Sequence, residues 1–337
     1  MKKTIQNKKL AKYLIAVVIA VVAALAFNQY RSGTSPSTSI VNSIDSFKGE
    51  RPLVFNQLKT NTDKTSIDPT QVLSGGPGKD GIPTLNNPDY TNITNSKVTD
   101  DTLGIFIEIN NQKRFYPFSI LVWHEIANDK IGSTSFSVTF CPLCGSAIVY
   151  NRDVQGEILQ FGVSGLLYES NLLMYDTKTE SLWSQSLGEA VVGDFTGTKL
   201  EIIPMQRLTF AQVKSNHPTT MVLSEDTGYS RNYSSNPYGN YDQSDRLIFP
   251  VSNTNEEFPT KEIMYVIRVK DQSVVIPQLQ LKEGQTISKT ITGSNLTATK
   301  TNGEITATID GVVTPGYFEM WFSWATQHKD NGIVWKL

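Results

Sequence analysis

The chain holds only two cysteines and three histidines in 337 residues. That excludes a framework of several disulfides and leaves few side chains able to hold a soft metal. Neither the cysteines nor His124, His217 and His328 fall at zinc-finger spacing. Basic charge is not in excess, with 30 Lys and Arg against 32 Asp and Glu, so a nucleic-acid footprint is absent and no nucleic-acid partner is expected. No nucleotide-cofactor motif is evident. Long helical periodicity is scarce after residue 100, where alternating apolar and β-branched positions are punctuated by Gly and Asn. The pattern predicts a mainly β fold with a few short helices.

One long apolar run is present, at the start. Lys2, Lys3, Lys8, Lys9 and Lys12 precede an unbroken apolar or aromatic stretch from Tyr13 to Phe27. Residues 1–27 therefore read as a signal peptide or an N-terminal membrane anchor. The run falls short of the ~20 residues of a spanning helix, and Ala24-Leu25-Ala26 fits a small-x-small cleavage site. The preceding lysines place the chain beyond Phe27 outside the cytoplasm, attached to the membrane if uncleaved and secreted if cleaved. With no cysteine after the run, a lipid-modified N-terminus is excluded. Residues 28–50 are rich in Ser, Thr and Asn and read as a flexible tether. Residues 51–337 are then one β-rich ectodomain.

Within that ectodomain, Phe118–Asn128 is the best helix candidate, opened by Pro117 and placing Ile120 and His124 on one face. Strands are expected at 135–140, 147–152 and 158–164. Ile105, Ile107, Ile109, Asn111, Gln112, Pro117 and Leu121 recur 160 residues later as Tyr265, Ile267, Val269, Asp271, Gln272, Pro277 and Leu281. This predicts a duplicated β-unit, the first copy at about 80–245 and the second at about 246–337. The second copy shows no cysteine or histidine at a position matching the first, so any chemistry belongs to the first.

Both cysteines lie in Cys141-Pro142-Leu143-Cys144-Gly145, a tight turn that holds two sulfurs on one side. The strand-like Ala147-Ile148-Val149-Tyr150 after it argues against the helix N-terminus on which thioredoxin-type pairs sit. Two chemistries stay open. Cys141 and Cys144 could ligate copper or zinc, with His124 as third ligand and His217 as possible fourth. They could instead cycle as a redox pair with a partner protein, Glu180 or His124 tuning the thiolate. Elsewhere, Asp226-Thr227-Gly228 matches the aspartic-protease triplet, but it occurs once outside an apolar strand and reads as a turn. Tyr229, Tyr233, Tyr238 and Tyr241 crowd a loop that either lines a cleft or covers a small core. Phe318, Trp321 and Trp324, three apart, are expected to pack as one face.

Several ordered segments resemble the family called domain of unknown function 3179. They are Trp123-His124-Glu125-Ile126-Ala127-Asn128-Asp129, Phe140-Cys141-Pro142-Leu143-Cys144-Gly145-Ser146-Ala147, Phe161-Gly162-Val163-Ser164-Gly165-Leu166-Leu167-Tyr168 and Met174-Tyr175-Asp176. Glu180-Ser181-Leu182-Trp183-Ser184-Gln185, Gly188-Glu189-Ala190, His217-Pro218, and Leu223-Ser224 with Asp226-Thr227-Gly228 continue the likeness. An aromatic-rich tail from Phe318 to His328 completes it, so the likeness runs from about residue 80 to the end. The resemblance implies an exported or membrane-attached protein and assigns no catalytic role. His124, Cys141, Cys144, Glu180, Trp183 and His217 sit in its characteristic motifs. In the tail, Lys329 comes after His328 where the family often has Pro.

The resulting expectation is a membrane-tethered extracytoplasmic protein that binds or delivers copper or zinc at Cys141, Cys144, His124 and His217. The alternatives are a thiol-disulfide redox protein using the same cysteines and a non-enzymatic partner-binding surface module.

Overall fold

Successive side chains on a strand point to opposite faces, so apolar residues at consecutive positions require cover on both sides of the sheet. Stretches such as Val138 to Cys141 and Ala147 to Tyr150 meet that requirement. The computed structural model describes residues 53–337; the segments read as signal or anchor and as tether lie outside the described residues.

A first hairpin joins β1 (Leu103–Ile109) to β2 (Gln112–Pro117) through Asn110 and Asn111, both at positive φ, a region Asn tolerates well. One helical turn comes next, α1 (Phe118–Leu121). Two meanders succeed it, β3 (Ile126–Ile131), β4 (Thr134–Cys141) and β5 (Ser146–Asn151), then β6 (Phe161–Tyr168), β7 (Asn171–Asp176), β8 (Leu182–Ser184) and β9 (Glu189–Val192). β10 (Gln206–Thr209) runs into α2 (Phe210–Asn216) and β11 (Met221–Leu223). Beyond a long loop lie the hairpin β12 (Ile263–Val269) and β13 (Gln272–Pro277), then a meander of β14 (Thr286–Ile291), β15 (Ser294–Thr301), β16 (Glu304–Ile309) and β17 (Val312–Thr314). β18 (Gly316–Met320), α3 (Trp321–Gln327) and β19 (Gly332–Val334) end the fold. The protein is thus mainly β, with three short α-helices among the described residues.

An eight-stranded sheet in the order Leu85–Asn86, β3, β4, β5, β18, β12, β13, β19 forms the centre. One face carries Val138, Val149, Ile267, Ile276 and Phe318, packed against Ile105 and Tyr116 of the first hairpin and Leu296 and Ile305 of the last meander. The other carries Cys141, Ile148, Tyr150, Val266 and Tyr317, packed against Met174 and Trp183 of the second meander and Trp321 and Trp324 of α3. The second meander forms a sheet with Leu73–Ser74 at its edge. A further sheet takes the order β10, β1, β2, β11, Tyr90–Asn92.

Two four-strand arrangements share one topology. β10-β1-β2-β11 and β18-β12-β13-β19 are each a hairpin flanked by an antiparallel strand and, through a helix, a parallel one. The hairpin registers agree at the 160-residue spacing: Ile105 faces Tyr116 as Tyr265 faces Ile276. Thr209 and Met320 N-cap seven-residue helices, and His217 and His328 stand after them as C-caps. Histidines therefore do occupy matching places, contrary to the sequence expectation; they are 111 residues apart because the insertions differ in length. Common origin of the two arrangements stays an expectation.

Two local expectations are corrected. The helix expected over 118–128 stops at Leu121, because Glu125 turns the chain at φ 57° and Ile126 enters β3 opposite Thr139. Helical continuation would forfeit that ladder. Trp321 and Trp324 do stack, with ring centroids 5.4 Å apart, but Phe318 lies on a strand and packs on Tyr265 across the opposite face of the sheet.

Candidate functional site

β4 delivers Cys141 to its last position, and β5 resumes at Ser146, the ladder partner of Cys141. Between them the chain reverses through a turn closed by the Cys144 N–H donating to the Cys141 carbonyl at 3.2 Å. Gly145 completes the reversal at φ 55°, where a Cβ would press within 3.0 Å of the Met320 side chain. Met320 N–H donates to the Cys144 carbonyl at 2.8 Å and ties β18 to the turn. Both cysteines are free thiols and buried, Cys141 at 2% exposure and Cys144 at 0%.

The Cys144 sulfur has a buried carboxyl nearby. Cys144 lies within hydrogen-bonding reach of Cys141 and Ser323 and feels the charge of Glu319; its Sγ donates to the Ser170 carbonyl at 3.2 Å. Burial pushes its thiol well above the usual range, Cys141 and Glu319 add to the rise, and Ser323 opposes it. Glu319 accepts from Ser186 Oγ at 2.8 Å and Ser323 Oγ at 2.6 Å. Burial raises this carboxyl to about 7 against those donors and Arg268. Burial raises Glu125 to about 8, and Tyr238 Oη, which also feels Cys141, donates to it at 3.5 Å. Burial, then Glu125 and Cys141, hold the Tyr238 hydroxyl protonated. Cys144 is thus a buried thiol held protonated beside a carboxyl raised to about 7, an arrangement suited to passing a proton between them.

The histidines are engaged elsewhere. His124 is fully buried, with Nδ1 2.7 Å from the Pro83 carbonyl and Nε2 2.7 Å from Tyr233 Oη. A carbonyl only accepts, so Nδ1 carries the proton and Nε2 accepts from Tyr233 in the neutral ring. Burial favours that neutral form, aided by Arg231. His217 stacks on Phe106 at 4.1 Å and places Nε2 2.7 Å from Glu304 Oε1. Cys141 and Cys144 are thus brought together, but among the described residues no group of three or more His, Cys, Asp or Glu is placed to hold a metal ion. His328 bonds Asn331 at 3.0 Å. Glu180 pairs with Lys79 at 2.7 Å, and Trp183 Nε1 donates to Asp176 at 3.0 Å, both within or beside the second meander. Asp226 to Gly228 forms an exposed turn.

Above the turn opens a cleft of ≈ 570 Å³. Pro142 and Gly145 line it, together with Tyr233, Tyr238 and Tyr241 from the tyrosine-rich loop. That loop does both things weighed for it: Tyr233 and Tyr241 are buried, and their rings wall the cleft. Phe118 and Phe140, stacked 4.2 Å apart, supply an apolar side, and Arg207 and Lys261 bring positive charge.

Sequence reasoning passed over Glu125, Glu319 and Arg207. A signal existed for two of them. Glu319 is an acid inside the apolar run Tyr317-Phe318-Glu319-Met320-Trp321, and Glu125 sits between His124 and Ile126; an acid flanked by core residues must be neutralised or paired. Arg207 carries no such mark.

No curated protein and no solved structure matches the chain. The family model described as a protein of unknown function, DUF3179, matches residues 79–316, a span that takes in the cysteine turn, Glu125 and most of the cleft wall and stops just short of Glu319, so the chain belongs to that family.

Proposed function

We propose that this is an exported protein whose Cys141 and Cys144 work as a dithiol-disulfide couple, with Glu319 as proton acceptor. The observation that carries the reading is the adjacency of two free thiols in one turn, Cys144 beside the buried Glu319 carboxyl that burial raises to about 7. Export rests on the lysine-led apolar segment at residues 1–27. Left uncleaved, that segment attaches the protein to the membrane; among the described residues no helix is long and apolar enough to cross one.

A thiol must lose its proton before its sulfur can attack, and burial opposes that loss here. A neighbouring carboxylate that accepts the proton replaces an unfavourable charge separation with a transfer inside the site. One cysteine sulfur then attacks an incoming disulfide and expels one of its sulfurs as a thiol. The second cysteine attacks the mixed disulfide, closes the Cys141–Cys144 bond and releases the other thiol. Two protons pass from the cysteines, by way of Glu319, to the two leaving sulfurs, so atoms and electrons balance.

A second reading has its own support. Two thiolates suit a cuprous ion, and Met264 and Met320 share the cysteines' apolar cluster. Zinc is served less well, since it prefers four nitrogen or sulfur ligands and both candidate histidines hold other partners. Equilibration of the native protein with reduced and oxidised glutathione, read by alkylation and mass spectrometry, tests the first reading. Reversible loss of both alkylation sites is expected, slowed in Glu319→Gln. A pair that stays reduced in excess oxidised glutathione, yet reacts once unfolded, refutes it. Competition with a cuprous chelator then decides the second reading. A phosphatase reporter fused after residue 50 reads the export.

A further inference from the structure

Arg207 stands on β10 opposite Ile105 and points a guanidinium at the cleft. Its Nη1 donates to Gln278 Oε1 at 3.3 Å, and its Nε is buried with no acceptor. No carboxylate pairs with it among the described residues. Arg207 is half-buried, and a partly desolvated guanidinium with an unpaired Nε and no counter-ion is a costly arrangement, consistent with the direction in which burial lowers it.

We infer that the cleft is a binding site for a small organic carboxylate with an apolar body, whose negative charge pairs with Arg207. The volume of ≈ 570 Å³ falls in the range of small-molecule sites, roughly 300–1,000 Å³. Phe118, whose ring the guanidinium overlies at 5.9 Å to the centroid, stacks with Phe140 and offers an aromatic or aliphatic body a flat wall. Lys261 adds a second cation. Its ammonium is bonded to the carbonyls of Tyr241 and Arg246 and to Ser244 Oγ, and lies 3.3 Å from the Tyr241 ring centroid. Two acids also line the cleft: Asp101 accepts from Thr99, and Asp242 lies with Asp245 near Lys261. Both acids are exposed, and neither forms an ion pair with Arg207. Inorganic phosphate suits the place less, because the Phe118 ring that the guanidinium overlies and the Phe140 ring stacked on it offer it no donors.

This site does not depend on the thiol chemistry, and its test is separate. Calorimetric titration of the full chain with benzoate, benzamide and inorganic phosphate supplies the three probes. Benzoate is expected to bind saturably, to lose at least ~10-fold in affinity in Arg207→Gln, and to bind undiminished when both cysteines are serine. Ser119→Trp, which fills the cleft and leaves Arg207 in place, is expected to abolish binding even if Arg207→Gln fails to fold. Benzoate binding that is absent, or equal in wild type and either cleft variant, overturns the inference. So does benzamide binding as tightly as benzoate, or phosphate binding more tightly.

Discussion

Replacing Glu125 with glutamine keeps the side-chain shape and the oxygen that accepts from Tyr238 Oη, but fixes the group in its uncharged state. In the folded protein burial raises this carboxyl from the usual 4.5 to about 8. Its folded value lies above its unfolded value, so the folded state holds the extra proton in between. Below about pH 4.5 both states are protonated and the group favours neither. As pH rises toward about 8 the unfolded state has already released its proton, and the stability contributed by the neutral group is lost progressively. At about 1.4 kcal/mol per pH unit, the full span is worth about 5 kcal/mol, which sets the ceiling because local relaxation and water entry reduce the cost of the buried anion. Urea unfolding followed by tryptophan fluorescence, in reductant and from about pH 5.5 to 9, measures it. Glu125→Gln should exceed wild type by no more than about 1.5 kcal/mol at the acid end and by several at the alkaline end. A difference between the two proteins that stays flat across this range would refute the claim that Glu125 is neutral in the fold.

Glu319→Gln should behave alike over a narrower window, from 4.5 to about 7, with a ceiling of about 3 kcal/mol. Gly145→Ala should cost about 1–3 kcal/mol in chemical denaturation, through its positive φ and the Cβ pressed against Met320. Asp129→Asn should cost about 3 kcal/mol in the same measurement, since Asp129 accepts from Arg114, Tyr90 and Tyr116 in a largely buried cluster.

What was legible in the residues was what depends on short range. Short apolar and β-branched runs at Val138 to Cys141 and Ala147 to Tyr150 announced paired strands, and the glycine after Cys144 announced the reversal between them. The hairpins at Asn110-Asn111 and Lys270-Asp271 were legible as one repeated pattern for the same reason. The helix was overextended because Leu121, Val122, Ile126 and Ala127 satisfy helical spacing equally well, and only pairing with β4 decides that Ile126 and Ala127 are strand. The candidate site was legible in its sulfurs and not in its surroundings. Glu319 reaches Cys144 from a strand more than 170 positions away, and Tyr238 joins Glu125 to the Cys141 side from a loop about 100 positions away. No spacing encodes such approaches. The histidines attracted attention for their ligand chemistry, which residue type reveals, but the partners that occupy them, Pro83, Tyr233 and Glu304, are long-range contacts.

The central sheet is continuous but narrow at one place. β5 and β18 share one ladder pair, Phe318 opposite Ala147, whereas their neighbours share five or six. The Met320 N–H to Cys144 carbonyl bond lies beside that pair and extends the junction into the cysteine turn. The turn therefore acts as the clasp between two half-sheets. Hydrogen exchange at Met320 should report on it more sensitively than exchange deep within either half, because opening one clasp requires breaking few bonds. Any covalent change at the sulfurs that shifts the turn backbone would be felt along this line first, as shear between the halves of the sheet.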